Sequence, residues 1–300
     1  MVVLLAGAVG CSSSSRPLHA GLPDTPVVLV HGYNATSCPG TDVTRGIWGG
    51  AYLELTHGGW QGPLLPVSYY ACDRDGVDIT GYGPTVPTGA APAITAGTPR
   101  VHYDQNAGID QLAHDIGWFV YQSYSRDGTP VDLVGVSMGG LIIRDLLYRV
   151  AHKDPRFPPS LAVTHAVTFS TPYLGYGGTG ASSICPVETV ECQQFAVGSP
   201  LITELNSDPQ PPQGDGGTAW SVAGSSAGCD FVPATSSVGL AGAERVDYLT
   251  PCYTHTGYLW DNNPTADASA RITRPDGTLT TTSTAERSLT WLLTTLAGTG

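Results

Sequence analysis

Apolar residues in this chain gather in short runs, and helical periodicity fills much of the space between them. Val27 to Val30 is such a run, V-V-L-V, with no polar alternation. A run of this kind predicts a strand buried on both faces. Residues 44–56 carry a helical pattern that stops near Gly58 and Gly59. Leu64 to Tyr70 reads as a second strand, although Pro66 weakens it. Residues 73–105 hold many Gly, Pro and Thr residues and predict a long loop. Ile109, Leu112, Ile116, Phe119, Val120 and Tyr124 then fall near helical spacing and supply one apolar face. Arg126-Asp127-Gly128 stops that helix.

Val131 to Val134 predicts a buried strand, and Leu141 to Val150 an apolar helix. Ala162–Phe169 and Thr218–Gly224 read as further strands. Ser283-Thr-Ala-Glu286 matches a capping box, with Leu289, Leu292, Leu293 and Leu296 forming the face of a terminal helix. Strands alternating with helices predict the α/β class, with a mostly parallel sheet covered on both faces. No internal repeat is evident.

Length, charge and cysteines narrow this picture. The chain has 300 residues, enough for a sizeable core. Its net charge is −12 and Lys153 is its one lysine. No basic stripe exists to bind nucleic acid, and acidity disfavours an anionic membrane surface. The opening M-V-V-L-L-A-G-A-V-G-C matches a signal-peptide apolar region over 1–11, ending at a candidate lipidation site, Cys11. Such a lipid would tether the protein to a membrane; simple secretion is the alternative. Residues 12–25 read as a linker, and 26–300 as one domain. Setting Cys11 aside leaves Cys38, Cys72, Cys185, Cys192, Cys229 and Cys252. An even set in an exported chain suggests disulfides. Sequence proximity favours 38–72, 185–192 and 229–252, with the connectivity left open. None of the spacings suits a structural zinc site, and no metal is expected.

The chemistry centres on V-D-L-V-G-V-S-M-G-G, Val131 to Gly140. Gly135-Val136-Ser137-Met138-Gly139 fits G-x-S-x-G, with an apolar strand before it and a helix after it. That context predicts a nucleophile elbow, with Ser137 projecting above the sheet at a helix N-terminus. A serine nucleophile needs a base, and the base needs an orienting acid. Three histidines follow Ser137. His152 ends a helix and His165 lies within a strand, whereas His255 sits in a late loop, C-Y-T-H-T-G-Y-L, and is the candidate base. Asp145, Asp154, Asp208, Asp215, Asp230 and Asp247 lie between Ser137 and His255. Asp230 follows a strand by a short Ser/Gly loop and is the candidate acid, with Asp208 as runner-up. A Cys229–Cys252 bridge would tie the acid loop to the base loop. The oxyanion donors are expected to be the N–H groups of Met138 and Tyr33, the latter in V-L-V-H-G-Y-N. His31 is then a structural neighbour.

These motifs together, H-G-Y, G-V-S-M-G-G, D-F-V-P-A-T-S-S and T-H-T-G-Y-L, resemble those of the α/β-hydrolase superfamily, and within it secreted bacterial lipases and esterases. V-T-F-S-T-P-Y-L-G is similar to the T-P-H-x-G of many lipases, and Q-F-A-V-G-S-P-L-I-T-E-L-N to a lid-region segment. Val136 and Tyr173 depart from the histidines common at those positions. The resemblance implies an α/β-hydrolase fold, a Ser137–Asp230–His255 triad and a Tyr33/Met138 oxyanion hole. The segment Leu174 to Gly217 is expected to form a cap or lid, with Phe195, Leu201, Ile202 and Leu205 as a candidate acyl pocket. The function implied is an exported, monomeric ester hydrolase acting on small-molecule or lipid-like esters without a cofactor. A thioesterase, amidase or acyltransferase on the same fold, or a non-catalytic surface binding protein, is the alternative.

Overall fold

A computed structural model describes residues 24–34, 41–83, 102–177, 185, 188–208, 210–263 and 265–298. The expected signal peptide with Cys11, most of the linker, and Cys38 lie outside the described residues.

Nine strands form one sheet among the described residues. They are β1 (Val27–Val30), β2 (Leu64–Ser68), β3 (Val77–Asp78), β4 (Val131–Val136), β5 (Val163–Phe169), β6 (Ala219–Ser225), β7 (Glu244–Thr250), β8 (Ala268–Thr273) and β9 (Leu279–Ala285). Their order across the sheet is β9-β8-β7-β6-β5-β4-β1-β2-β3. All pairs from β3 through β7 are parallel, while β8 and β9 add an antiparallel hairpin at one edge. The main helices are α1 (Gly49–His57), α2 (Ile109–Ser123), α3 (Met138–Ala151), α4 (Val190–Gln194), α5 (Pro200–Leu205) and α6 (Ser288–Leu296).

All four residues of β1 are fully buried, as an unalternating apolar run requires. Successive side chains point to opposite faces, so Val28 and Val30 join a core with α2 and α3, while Val27 and Leu29 join a second core with α1 and α6. The sheet thus lies between two apolar layers, and the loops that follow β4, β5, β6 and β7 leave from the C-terminal edge of the parallel strands.

Several elements differ from the periodicity reading. The helix expected over 44–56 divides at Trp48 into a π-helical turn, Val43–Ile47, and α1. The β4–α3 junction is tighter than expected, because the helix starts at Met138 rather than Leu141. Strands β7, β8 and β9 carry no continuous apolar run and escape the periodicity reading. Only Val246 and Tyr248 of β7 are buried, since one face of this region is open. Ser283 belongs to β9 rather than to a capping box, and α6 begins at Ser288. The Thr-rich composition of β9 suits an exposed edge strand. Pro275-Asp276-Gly277 turns the β8–β9 hairpin, with Gly277 at φ 87°.

Between β5 and β6 runs the segment expected to be a cap. Its described part carries α4 and α5. Buried Arg144 of α3 fastens it, donating from Nη2 to Leu205 O (2.6 Å) and from Nη1 to Asn206 Oδ1 (3.1 Å).

Candidate active site

Ser137 occupies the turn between β4 and α3 with φ 57° and ψ −129°. That conformation is costly for a residue with a side chain and persists only where surrounding packing imposes it. Its N–H is held by Phe169 O at 2.9 Å, which anchors the turn to β5. The neighbouring glycines permit the close approach. A Cβ on Gly139 would run into the carbonyl oxygen of Val30, and one on Gly32 would lie 2.7 Å from Ser137 Cβ. Thus β1 and its H-G-Y extension press directly against the elbow.

His255 follows β7 and Asp230 follows β6, so parallel strands deliver both to the same edge. His255 Nδ1 lies 3.0 Å from Asp230 Oδ1. The Asp230 side chain is fully buried and that of His255 mostly so. A carboxylate only accepts, so Nδ1 carries the hydrogen and Nε2 is left as the basic nitrogen. Burial alone would raise the Asp230 carboxyl, but donors from His255, Ser170 and the Val232 N–H hold it below the ordinary carboxylate range. The Cys229–Cys252 disulfide joins the two loops, with Cα atoms 5.4 Å apart. Cys185–Cys192 closes a second, shorter loop. Cys72 is also disulfide-bonded, while Cys38, its expected partner, lies outside the described residues.

Ser137, Met138, Tyr33 and His255 all line one cavity of about 230 Å³. Among the described residues no hydrogen bond joins Ser137 Oγ to His255, although both line the same cavity. The N–H of Met138 lies at the start of α3, where helix N–H groups have no partner within the helix and the dipole favours negative charge. Neither that N–H nor the N–H of Tyr33 meets an acceptor among the described residues. His31 does not reach the cavity lining. It is fully buried, with Nε2 3.0 Å from Asp73 Oδ2 and its ring stacked on Tyr69 at 4.0 Å. Tyr69 OH donates to His31 O at 2.6 Å. This buried pair braces the loop that carries Tyr33.

Of the four residues expected to line an acyl pocket, Phe195 borders this cavity. Leu201, Ile202 and Leu205 instead pack into the core shared with α2 and α3, because α5 turns its apolar face inward onto that layer. The rest of the wall is Pro172, Tyr176, Cys185, Phe231 and Val232, which periodicity does not single out. Asp208, the runner-up acid, accepts from Gln210 N in its own turn. Asp145 is buried in α3 and pairs with Arg149. Ser170, which no motif flags, ends β5 and touches both Asp230 and His255.

No cluster of metal-ligating side chains occurs among the described residues. No described helix is long and apolar enough to cross a membrane.

Neither family models nor curated proteins match this chain. Solved structures with a similar backbone include lipase B of Aspergillus fumigatus, at 12% identity and a TM-score of 0.48, covering 79% of this chain and 49% of that one. A lipase of Bacillus licheniformis in its propeptide form is 14% identical with a TM-score of 0.46, over 82% of this chain and 48% of the other. An esterase of Thermogutta terrifontis is 14% identical with a TM-score of 0.42, over 78% and 84%. The chain spans about half the length of the two lipases. Its own mostly parallel sheet between two helical layers and the strained serine at the strand-to-helix turn between β4 and α3 fit the α/β-hydrolase fold.

Proposed function

We propose that the protein is an exported serine hydrolase that cleaves carboxylic esters. The observation that carries this reading is a single cavity bounded by Ser137, by His255 on its buried Asp230 carboxylate, and by the N–H groups of Tyr33 and Met138, which meet no acceptor among the described residues. In the mechanism, His255 Nε2 takes the proton of Ser137 as Oγ attacks the ester carbonyl. The two N–H groups bind the oxyanion. His255 then protonates the departing alkoxide, leaving an acyl-enzyme. Water, deprotonated by the same imidazole, releases the acid. Asp230 keeps the imidazole in the right tautomer and stabilises its charged form.

The wall sets the substrate class. Tyr33, Tyr176, Phe195, Phe231 and Val232 are apolar or aromatic, and among the described lining residues His255 is the one ionisable group besides the tyrosines. An uncharged acyl group fits that lining. A volume near 230 Å³ lies below the range of about 300–1,000 Å³ usual for drug-sized ligands, which favours a compact acyl group. Segment 174–217 acts as the cap: Tyr33 bonds Thr189, and Tyr70 OH donates to Glu191 Oε2 at 2.7 Å, so cap and oxyanion loop are in contact. The two disulfides support an oxidising destination.

Fluorophosphonate labelling followed by peptide mapping tests the reaction class, and an adduct on Ser137 is expected. A p-nitrophenyl ester series tests the substrate, with acetyl to hexanoyl esters expected to outpace long chains. No adduct at Ser137 would leave a binding role as the better reading.

A further inference from the structure

Ser170 ends β5 as Ser137 ends β4, and it too has a left-handed backbone, φ 50°. Its N–H is held by Ala223 O at 2.8 Å, fixing it to β6. The side chain is fully buried and does not line the cavity, so it is no second nucleophile. Its hydroxyl lies 2.5 Å from Asp230 Oδ2 and 2.9 Å from His255 Nδ1. A serine hydroxyl has one hydrogen and two lone pairs. The carboxylate cannot donate, so the hydrogen goes to Asp230 Oδ2. The Nδ1 hydrogen of His255 is then shared between Asp230 Oδ1, at 3.0 Å, and Ser170 Oγ. Asp230 Oδ2 also accepts from Tyr258 OH at 3.2 Å, but Tyr258 makes no hydrogen bond to the imidazole among the described residues. Ser170 is the residue that touches both members of the pair.

We propose that Ser170 is a positioning residue, closing a three-membered ring of hydrogen bonds that sets the rotation of the Asp230 carboxylate and of the His255 imidazole. Without the hydroxyl the carboxylate loses one of its two Oδ2 donors and the imidazole loses an acceptor, so both groups gain freedom to turn. The backbone at Ser170 supplies none of this. A glycine there adopts φ 50° without strain and preserves the strand end while deleting the hydroxyl.

The role rests on the hydrolase reading, and the test separates the two. Ser170→Gly and Ser170→Ala are compared with wild type using p-nitrophenyl butyrate, fluorophosphonate labelling and the low-field proton resonance of His255 Nδ1. Both variants should lower kcat and the labelling rate by about tenfold, the loss of one net hydrogen bond, with KM unchanged because Ser170 is outside the cavity lining. The Nδ1 resonance should move in both, with circular dichroism unaltered. A backbone role alone predicts that the glycine variant behaves as wild type, and that result overturns the proposal. So does an Nδ1 resonance that stays in place. Wild-type protein that takes no fluorophosphonate at Ser137 overturns the hydrolase reading instead, whatever the resonance does.

Discussion

Phe231 lies over the imidazole of His255, with ring centroids 3.9 Å apart and planes inclined by 32°. The ring also meets Tyr176 at 5.5 Å, so an aromatic wall runs from Tyr176 across Phe231 onto His255. Phe231 is 42% exposed, which places it at the mouth of the cavity. Truncating it should loosen His255 and admit water. Phe231→Ala is expected to lower kcat/KM on a short p-nitrophenyl ester by up to about tenfold, the scale of one aromatic pair. An unchanged value would show that the imidazole is held by Asp230 and Ser170 alone.

Strain at the elbow should be measurable as stability. Ser137 sits at φ 57°, where glycine rests comfortably. Ser137→Gly should abolish turnover yet stabilise the fold by about 1 kcal/mol, strain relief less the added entropy of the unfolded glycine. In calorimetry that is a rise in Tm of about 2 °C. A fall in Tm would mean that the elbow is not strained.

The bridge between the loops that carry Asp230 and His255 is open to solvent. Cys229 and Cys252 are both exposed and 23 residues apart in sequence, whereas Cys185 and Cys192 are buried. Cys229→Ser/Cys252→Ser should cost about 3 kcal/mol by the loop-closure estimate. Activity should decline at a lower temperature than the far-ultraviolet signal, because the freed loops carry Asp230 and His255. Coincident midpoints for activity and unfolding would refute that local effect.

Stability should also fall as pH rises through neutrality. Burial pushes the Glu191 carboxyl from 4.5 up to about 8, against the hydrogen bond from Tyr70. Between those values the unfolded chain has released this proton and the folded chain retains it. Folding therefore binds a proton, and stability drops as pH rises from about 4.5 to about 8. Asp145, raised to about 7, adds a contribution of the same sign. Urea unfolding across that range should show a shallower slope in Glu191→Gln than in wild type. Parallel slopes would locate the effect elsewhere.

Strands β1, β2, β4, β5 and β6 were legible because buried strands impose apolar patterns that need no partner to be recognised, whereas the parallel strands β3, inside the expected 73–105 loop, and β7, with one face open, were not. Val27–Val30 and Val131–Val136 are unbroken apolar or glycine-containing runs with one polar exception, Asp132, which pairs with His165 at the strand edge. The antiparallel edge was not legible, since β9 exposes most of its residues and gains its strand identity from pairing with β8. The P-D-G turn was the one local signal for it.

By itself the sequence determined the elbow: glycines at 135 and 139 around Ser137, between a strand and a helix, leave the chain few other conformations. It also determined the order of Ser137, Asp230 and His255 along the chain. Only the tertiary structure decided that these residues end strands of one sheet and share one edge, because spatial adjacency of β4 to β7 is a property of pairing. Packing likewise decided the cavity wall, taking Phe195 and Phe231 and leaving Leu201, Ile202 and Leu205 to the core. Ser170 is the sharpest case. Nothing in F-S-T-P distinguishes it from any strand-end serine, and its meaning arises from a carboxylate 60 residues away and an imidazole 85 residues away.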